Sequence, residues 1–318
     1  RVAPLVGAGP GELAFVTNAT TGVATVLRGL DLAPGDRLVT TVHVYPAVRN
    51  VLRYVAARTG AELVEVEVPF PIEGPEQVVQ AVDAALPGAR LAVLDHITSA
   101  TGLVLPIHAL VARCRHHGVP VLVDGAHAPV QVPVDLSSLG ADWWTGNLHK
   151  WAFAPKGTAV LYAAPRHRAS THPLTISHGY GQGFPDEFLW QGTADLTGWL
   201  ASAEAVAFVQ ARGGAQAIRA HNDALCEQAA TLVADAWGVD LPSPRSMRAA
   251  MATMPLPRVL PPTPAAQRAL HDALWTRHRV EVPVFPFGDR LWLRISAQLY
   301  NALPQYQVLA QAVLAEVG

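Results

Sequence analysis

The sequence is poor in cysteine, in net charge and in long apolar runs. Its 318 residues include two cysteines, Cys114 and Cys226, which excludes a disulfide-dense scaffold and is typical of a reducing cytoplasm. A formal net charge of −2 gives no reason to expect a nucleic acid or an anionic membrane as partner. No apolar run approaches the roughly 20 residues of a spanning helix, and the start does not resemble a signal peptide. We therefore expect a cytoplasmic protein.

Lysine is just as scarce. It occurs only as Lys150 and Lys156, so nearly all of the 23 basic side chains are arginine. Arginine does not lose its proton in a protein, whereas a partly buried lysine can become neutral and attack a carbonyl. Lys150 lies between His149 and Trp151 in a segment with little other charge, which favours it as an amine nucleophile over a solvated surface amine. Lys156 lies in a turn-like Pro-Lys-Gly, where a solvated amine is preferred.

An acidic residue closes a β-branched run upstream of Lys150. The run Val119 to Val123 is typical of a buried parallel strand, and the helical stretch Ile107 to His117 precedes it. Ligands of open α/β sheets bind beyond the carboxyl ends of the strands. Asp124 at that end is suited to hold the protonated ring nitrogen of a pyridinium cofactor. Capping of the next turn is the alternative for Asp124.

These residues form a pattern that resembles a known family. Asp124-x-x-His127 is followed by Thr-Gly-Asn-x-His-Lys-Trp at residues 145–151 and by Ala-Pro-Lys-Gly at residues 154–157. The pattern resembles the class V aminotransferase family of enzymes that depend on pyridoxal 5'-phosphate (PLP), and most of all its isopenicillin N epimerase-like branch. The resemblance runs from about Phe15 to the C-terminus.

The resemblance implies roles for this central segment. Lys150 would form the internal aldimine with PLP, and Asp124 would pair with the pyridinium nitrogen. His127 would lie near the ring or its phenolic oxygen, and Asn147 and His149 near the phosphate. Many relatives carry Ser or Thr at the place of Asn147.

A helix start upstream is a second phosphate candidate. The small polar residues Asn18 to Thr21 precede a periodic apolar stretch, which predicts a helix whose N-terminal amides and dipole suit a phosphate. An ordinary N-cap explains these residues equally well. The resemblance assigns Ala19 and Thr20 to the phosphate.

The resemblance also implies neighbours of the cofactor ring and of the substrate. Tyr45 best matches the planar residue that stacks on the ring, with His43 as the competitor, and Ser99 matches a small polar residue near the phenolic oxygen. Gly192 and Thr193 match a pair that reaches the phosphate of the partner in a homodimer. Arg294 interrupts the apolar strand Leu291 to Ser296. A charge there needs an anion, and relatives bind the substrate α-carboxylate with this arginine. A structural ion pair is the alternative for Arg294.

Strands and helices alternate along the first two thirds of the chain, which predicts an α/β fold with a parallel-rich sheet. The resemblance implies PLP-transferase fold type I, a three-layer αβα architecture with a mixed sheet and a smaller C-terminal α+β domain. We predict a large PLP-binding domain over residues 1–240 and a small domain over residues 241–318. Relatives carry several dozen residues before the point that matches Phe15, so we expect that an N-terminal segment of the family is missing.

The predicted reaction takes place at the Cα of an amino-acid substrate, with Lys150 as the base. An isopenicillin N epimerase-like epimerase is preferred; a PLP-dependent carbon–sulfur lyase and a class V aminotransferase stay open, and a non-catalytic binding protein with this fold is the outside alternative. Epimerisation needs a second proton donor, for which His178, Tyr180 or a water are the candidates. A desulfurase that forms a protein persulfide is disfavoured, because residues 227–294 contain no cysteine. We expect no metal, since His96, His116 and His117 lack partners at ligand spacing.

Overall fold

The computed structural model describes residues 1–317. By their internal contacts these residues form two compact units. The first unit comprises residues 1–68, 75–98 and 105–216, and the second comprises residues 69–74, 99–104 and the chain from Ala217 onward. No helix within residues 1–317 combines the length and the apolar character needed to cross a membrane.

The first unit is an α/β structure in which strands and helices alternate. Its elements, in chain order, are β1 (Leu13–Val16), α1 (Ala19–Gly29), β2 (Arg37–Thr41), α2 (Pro46–Thr59), β3 (Glu62–Val66), α3 (Pro75–Ala85), β4 (Ala89–Asp95), α4 (Ile107–His116), β5 (Val121–Asp124), α5 (Leu136–Leu139), β6 (Trp143–Asn147), α6 (Leu148–Trp151), β7 (Ala159–Ala163) and α7 (Thr197–Ala211). Helix α8 (Gly214–Trp237) starts in this unit and continues into the second.

A seven-stranded mixed sheet forms the centre of the first unit, with strand order β1-β7-β6-β5-β4-β2-β3. The five strands from β6 through β3 in this order pair in parallel, and β7 pairs antiparallel with both β6 and β1. Buried aliphatic side chains from β1, β2, β4, β5 and β7 form one core with those of α1 and α2. The predicted α/β class with a parallel-rich mixed sheet is confirmed.

Strand β5 illustrates how local chemistry sets the strand bounds. The predicted strand began at Val119, but β5 begins at Val121, because Pro120 has no amide hydrogen for the ladder. All four residues of β5 are buried, as expected for a central parallel strand. The strand ends on Asp124, so this carboxyl group lies at the carboxyl edge of the sheet.

The second unit has its own sheet and core. Its further elements are β8 (Met251–Pro255), α9 (Pro264–His278), β9 (Val284–Phe287), β10 (Arg290–Ser296) and α10 (Leu303–Val317). The three strands form an antiparallel sheet of order β8-β10-β9. Two short upstream segments belong to this unit: the amide of Ile72 donates to the carbonyl of Pro242 at 2.8 Å, and the Thr253 hydroxyl donates to the carbonyl of Ala100 at 3.2 Å.

The boundary between the units differs from the predicted division at residues 240 and 241. Much of α8 already belongs to the second unit, because Cys226, Ala230, Val233 and Trp237 lie in the same buried cluster as the strands β8 and β10. The proline-rich residues 241–264, which include β8, therefore lie within the second unit and do not mark its start.

Candidate active site

Four neighbouring parallel strands bring together the candidate residues of the first unit. Tyr45 follows β2, Asp95 ends β4, Asp124 ends β5, and Lys150 lies in α6 directly after β6. These strands are adjacent in the order β2-β4-β5-β6, and their carboxyl ends lie at one edge of the sheet. That edge is where open α/β sheets bind ligands.

The amine of Lys150 is placed by an imidazole. Its Nζ lies 3.0 Å from Nε2 of His127 and 5.9 Å from the centre of the Tyr45 ring. The side chain as a whole is exposed, so the expectation of a partly buried lysine was wrong for the residue. The nitrogen itself, however, points to the carboxyl edge of the sheet, where it contacts His127 after β5 and faces the ring of Tyr45 after β2. It is therefore both accessible and oriented.

His127 is buried and is held from two sides. Besides its contact with Lys150, its Nδ1 accepts a hydrogen bond from the indole Nε1 of Trp151 at 3.2 Å. The two rings are tilted by 58° with 6.4 Å between their centres. His127 follows Asp124 by three residues, so the turn after β5 delivers both the carboxyl group and the imidazole.

Two buried carboxyl groups lie side by side at the edge. Asp95 and Asp124 are opposite each other in the parallel register of β4 and β5, and each is only 3% exposed. Burial raises the pKa of Asp124, while the amide of Ala126, which donates to its Oδ1 at 2.9 Å, and the charge of Lys150 act the other way. Burial raises the pKa of Asp95 well above its usual value, and the charge of Asp124 raises it further.

Asp95 was missed by the sequence reasoning. Its Oδ2 is buried without a hydrogen-bond partner in residues 1–317, which is costly unless something supplies one. The signal was present, since β4 and β5 are both apolar runs that end in Asp, as Leu94-Asp95 and Val123-Asp124. Only the sheet order shows that these two strands are neighbours.

The helix start and the end of β6 are tied together by Asn147. Its buried Oδ1 accepts a hydrogen bond from the amide of Ala19 at 2.9 Å, and Asn18 caps α1 by accepting from the amide of Thr21 at 2.8 Å. The Ala19 amide is thus already used within the protein. Asn147 places the N-terminus of α1, with Thr20 in its first turn, against the strand that leads to Lys150.

His149 is fixed through its Nδ1, which lies 2.8 Å from the carbonyl oxygen of Thr158. The amide nitrogen of Thr158 lies 3.3 Å from the same Nδ1, so the backbone of Thr158 holds the ring in place through both its carbonyl and its amide. Burial lowers the pKa of His149, and the charge of Lys150 lowers it further.

The two candidates for the stacking residue differ in their surroundings. His43 is buried with its Nε2 3.0 Å from the carbonyl oxygen of Val68, and burial lowers its pKa to about 4. Tyr45 is 38% exposed, and its ring faces the Lys150 amine. Tyr45 is therefore the planar side chain that this edge presents.

Ser99 and Arg294 belong to the second unit. Ser99 is partly buried. Burial lowers the pKa of the Arg294 guanidinium to about 10, and its Nε is buried without a hydrogen-bond partner in the described chain. No carboxylate of residues 1–317 forms an ion pair with it, so the alternative of a structural ion pair is wrong for that part of the chain. Such a guanidinium is suited to an anionic ligand.

Gly192 and Thr193 lie in an exposed segment before α7, and Gly192 has a φ of 116°. His178 and Tyr180, the candidates for a second acid, lie in the glycine-rich loop upstream and are both exposed. Buried Glu187 organises this loop by accepting from the amide of Gly181 at 3.1 Å.

The chemistry of this edge fits PLP. It offers a primary amine for an aldehyde, a planar side chain and a capped helix start. It also offers a ring nitrogen the buried carboxyl group of Asp124, which forms no ion pair within residues 1–317. A pyridinium would supply the positive charge that offsets the burial of Asp124. Fold and site together define a PLP-binding protein of fold type I.

The comparisons with known proteins identify the family. The model of the class-V aminotransferases matches residues 1–265, and the chain belongs to that family. It is 35% identical to a putative L-cysteine desulfhydrase of Oryza sativa subsp. japonica, over 98% of this chain and 74% of that protein. It is 36% identical to an isopenicillin N epimerase of Streptomyces clavuligerus, over 100% of this chain and 83% of that protein.

Solved structures share the fold. A cysteine desulfurase from Thermococcus onnurineus NA1 matches with a TM-score of 0.82 at 21% identity, over 99% of this chain and 82% of that one. The predicted family, fold type, enzyme class and cofactor are thereby confirmed: the chain is a PLP-dependent enzyme. The relatives carry two different activities in their names, so the family membership leaves the reaction undecided.

Proposed function

We propose that this enzyme removes the Cα proton of an amino acid with Lys150 as the base, and that it is a carbon–sulfur lyase acting on cysteine or a cysteine derivative. The observation that carries the proposal is the contact of 3.0 Å between Lys150 Nζ and His127 Nε2 at the edge that also holds Asp124. β-Elimination needs only one base at Cα, because sulfide leaves without help from a protein acid. A relative at 33% identity, from Arabidopsis thaliana, is named L-cysteine desulfhydrase.

In this proposal the chain's own groups bind and orient. Bound PLP supplies the electron sink for the carbanion formed at Cα. Asp124 would hold the ring nitrogen protonated, Tyr45 would stack on the ring, and His127 would lie near its phenolic oxygen. Arg294 would bind the substrate carboxylate, since its buried Nε lacks a hydrogen-bond partner among the described residues, and Ser99 is the group proposed for the phenolic oxygen. Thr20, Asn147 and His149 would bind the phosphate, and Ala19, whose amide donates to Asn147, would place the start of α1 beside it.

The sulfur would leave to solvent and not to a protein thiol. Both cysteines are buried, and burial raises the pKa of Cys114 and of Cys226 to about 12 each. A thiol is nucleophilic only as the thiolate, so neither cysteine accepts the sulfur. Buried free thiols also support the proposed cytoplasmic location, although one relative is named as chloroplastic.

A homodimer is part of the proposal. Gly192 and Thr193 are exposed in this chain, and so are the large apolar side chains of Leu189, at 61%, and Trp190, at 44%. Exposed apolar side chains of this size next to a candidate phosphate-binding pair support an interface. We expect the pair to reach the partner's phosphate.

Covalent attachment at Lys150 is the first test. We expect the purified protein with PLP to absorb visible light, and borohydride to fix the cofactor on the peptide that contains Lys150. Lys150→Arg abolishes the fixed adduct, since a guanidinium does not lose its proton. Lys156→Arg is the matched control and keeps it. A colourless protein, or an adduct on Lys156, contradicts the proposal.

Epimerisation is the second candidate, favoured by the 36% identity to an isopenicillin N epimerase. It needs a second proton donor on the opposite face of Cα, for which the exposed His178, the exposed Tyr180 or a water are the predicted candidates. Incubation of the enzyme with L-cysteine and with other L-amino acids in heavy water separates the candidates. Pyruvate and sulfide from cysteine support the lyase, whereas deuterium at Cα with inversion and no pyruvate supports the epimerase.

A further inference from the structure

A chain of two hydrogen bonds links a tryptophan to the reactive amine. The indole Nε1 of Trp151 donates to Nδ1 of His127 at 3.2 Å, and Nε2 of the same ring lies 3.0 Å from Lys150 Nζ. Trp151 is 6% exposed and His127 is also 6% exposed. Lys150 and Trp151 are neighbours in helix α6, so both ends of this chain of hydrogen bonds lie in one short helix.

The direction of these bonds follows from the atoms involved. An indole N–H is a donor only, so Nδ1 of His127 is the acceptor and carries no proton. A neutral imidazole then carries its proton on Nε2. Because that proton faces Lys150, the short contact requires Nζ to accept, and only an unprotonated amine has a lone pair to do so.

We propose that Trp151 is a positioning residue that fixes His127 with its proton on Nε2, and that this N–H keeps the Lys150 amine unprotonated and aimed at the cofactor side. The amine then has its lone pair available to bind an aldehyde or to take up the Cα proton. The tautomer of His127 does not depend on the proposed reaction. The use of the unprotonated Lys150 amine as the base at Cα does rest on the proposed function.

Other titratable groups also face Lys150. Asp124 at the end of β5 and Asp95 at the end of β4 both interact with its charge, His149 lies beside it in α6, and Tyr45 after β2 faces it. If Asp95 and Asp124 were both ionised, their charges would favour the ammonium form of Lys150. Burial is the largest cause of the raised pKa at both Asp95 and Asp124, which weakens that pull in the cofactor-free protein.

The tautomer of His127 is the direct test and requires neither cofactor nor substrate. In the full chain with 15N-labelled histidine, a long-range 1H–15N correlation spectrum distinguishes the two tautomers, and the loss of one set of signals in His127→Asn assigns them. We expect the wild-type ring to carry its proton on Nε2 alone. Trp151→Phe keeps an aromatic ring and removes the donor, so we expect a mixture of tautomers. A wild-type proton on Nδ1 overturns the proposal.

The scarcity of lysine provides a second readout. In the cofactor-free protein at neutral pH, acetylation by acetic anhydride is followed by mass spectrometry at Lys150, with exposed Lys156 as the internal reference. Trp151→Phe removes the hydrogen bond that fixes the tautomer of His127, so the N–H that faces Lys150 is no longer always present. The loss of one hydrogen bond predicts that acetylation of Lys150 relative to Lys156 becomes about five-fold slower.

Trp143→Phe is the matched control, since it also removes an indole hydrogen bond, to the hydroxyl of Thr171 at 3.0 Å. It should leave both the tautomer and the relative rate unchanged. An equal decrease of the acetylation rate at Lys150 in Trp151→Phe and in Trp143→Phe overturns the proposal. Absence of lyase activity with the expected tautomer and rates would count against the proposed function alone.

Discussion

At the scale of single residues, the paired carboxyl groups at the sheet edge dominate the electrostatics. Asp95 and Asp124 are opposite each other on adjacent strands, and two buried carboxylates at such separation do not ionise together readily. Both interact with the charge of Lys150. Asp124 also accepts a hydrogen bond from the amide of Ala126, whereas Asp95 has a buried oxygen with no hydrogen-bond partner in residues 1–317 and a pKa that the charge of Asp124 raises further. We infer that Asp95 is the member that keeps its proton.

This assignment predicts how Asp95→Asn changes the pH dependence of stability. The native pKa of Asp95 is raised above its usual 3.8, so above that pH the unfolded chain releases a proton that the folded chain retains. The free energy of unfolding of the wild type therefore falls as pH rises from about 4 toward the native pKa. Asparagine does not ionise, so we expect the stability of Asp95→Asn to increase relative to that of the wild type as the pH rises from about 4 to about 7.

Urea unfolding of the cofactor-free protein at both pH values measures the effect. Asp135→Asn is the control, because hydrogen bonds from Ser137 and Ser138 lower the pKa of Asp135. Its contribution has the opposite sign and is lost mainly as the pH falls below about 4, so the difference in stability between this variant and the wild type should stay nearly constant from about pH 4 to about pH 7. A parallel pH dependence for Asp95→Asn and the wild type would contradict the assignment.

The residues of the site differ in how far the sequence reveals them. Lys150 stands out because the chain has only two lysines, and Asp124 because it closes a recognisable strand. Asp95 ends an equally clear strand but becomes significant only through the neighbouring Asp124, and the order of strands in the sheet is a property of the whole fold. The contact of Asn147 with Ala19 joins residues 128 positions apart, so no local pattern predicts it.

At the scale of elements, helix α1 packs closely against strand β6. A Cβ atom built on Gly22 would come within 2.8 Å of Cβ of Thr145. Thr145 has no room to withdraw, since it is fully buried and its hydroxyl donates to the carbonyl of Val160 at 2.9 Å. Gly22 thus permits α1 to approach the strand that carries Asn147, and this approach places the helix start.

We therefore expect Gly22→Ala to lower the free energy of unfolding by about 1–3 kcal/mol through overpacking, and to weaken PLP binding because the start of α1 shifts. Gly29→Ala in the same helix is the matched control. A Cβ there meets nothing within 4 Å, so its effect should be stabilising by up to about 1 kcal/mol. Urea unfolding and PLP titration measure both. Equal effects of the two substitutions would contradict the close-approach argument.

At the scale of the whole molecule, two features lack a structural role within one chain. Thr193 and the neighbouring Trp190 are exposed, although the family resemblance places Gly192 and Thr193 at a phosphate. A homodimer with shared sites accounts for both features, since the partner would cover Trp190 and receive Thr193. Closed two-fold dimers are the commonest soluble assembly.

Subunit complementation tests the shared site. Lys150→Ala removes the amine, and Thr193→Asp adds a negative charge that repels the phosphate; each variant alone should be inactive as a homodimer. In a heterodimer purified with two different affinity tags, one site combines both defects and the other has neither if Thr193 reaches across the interface. We expect about half of the wild-type activity per dimer, measured by PLP bound covalently to Lys150 and by product formation. An inactive heterodimer would instead mean that Thr193 serves the site of its own chain, and a chain that sediments as a monomer would exclude the shared site.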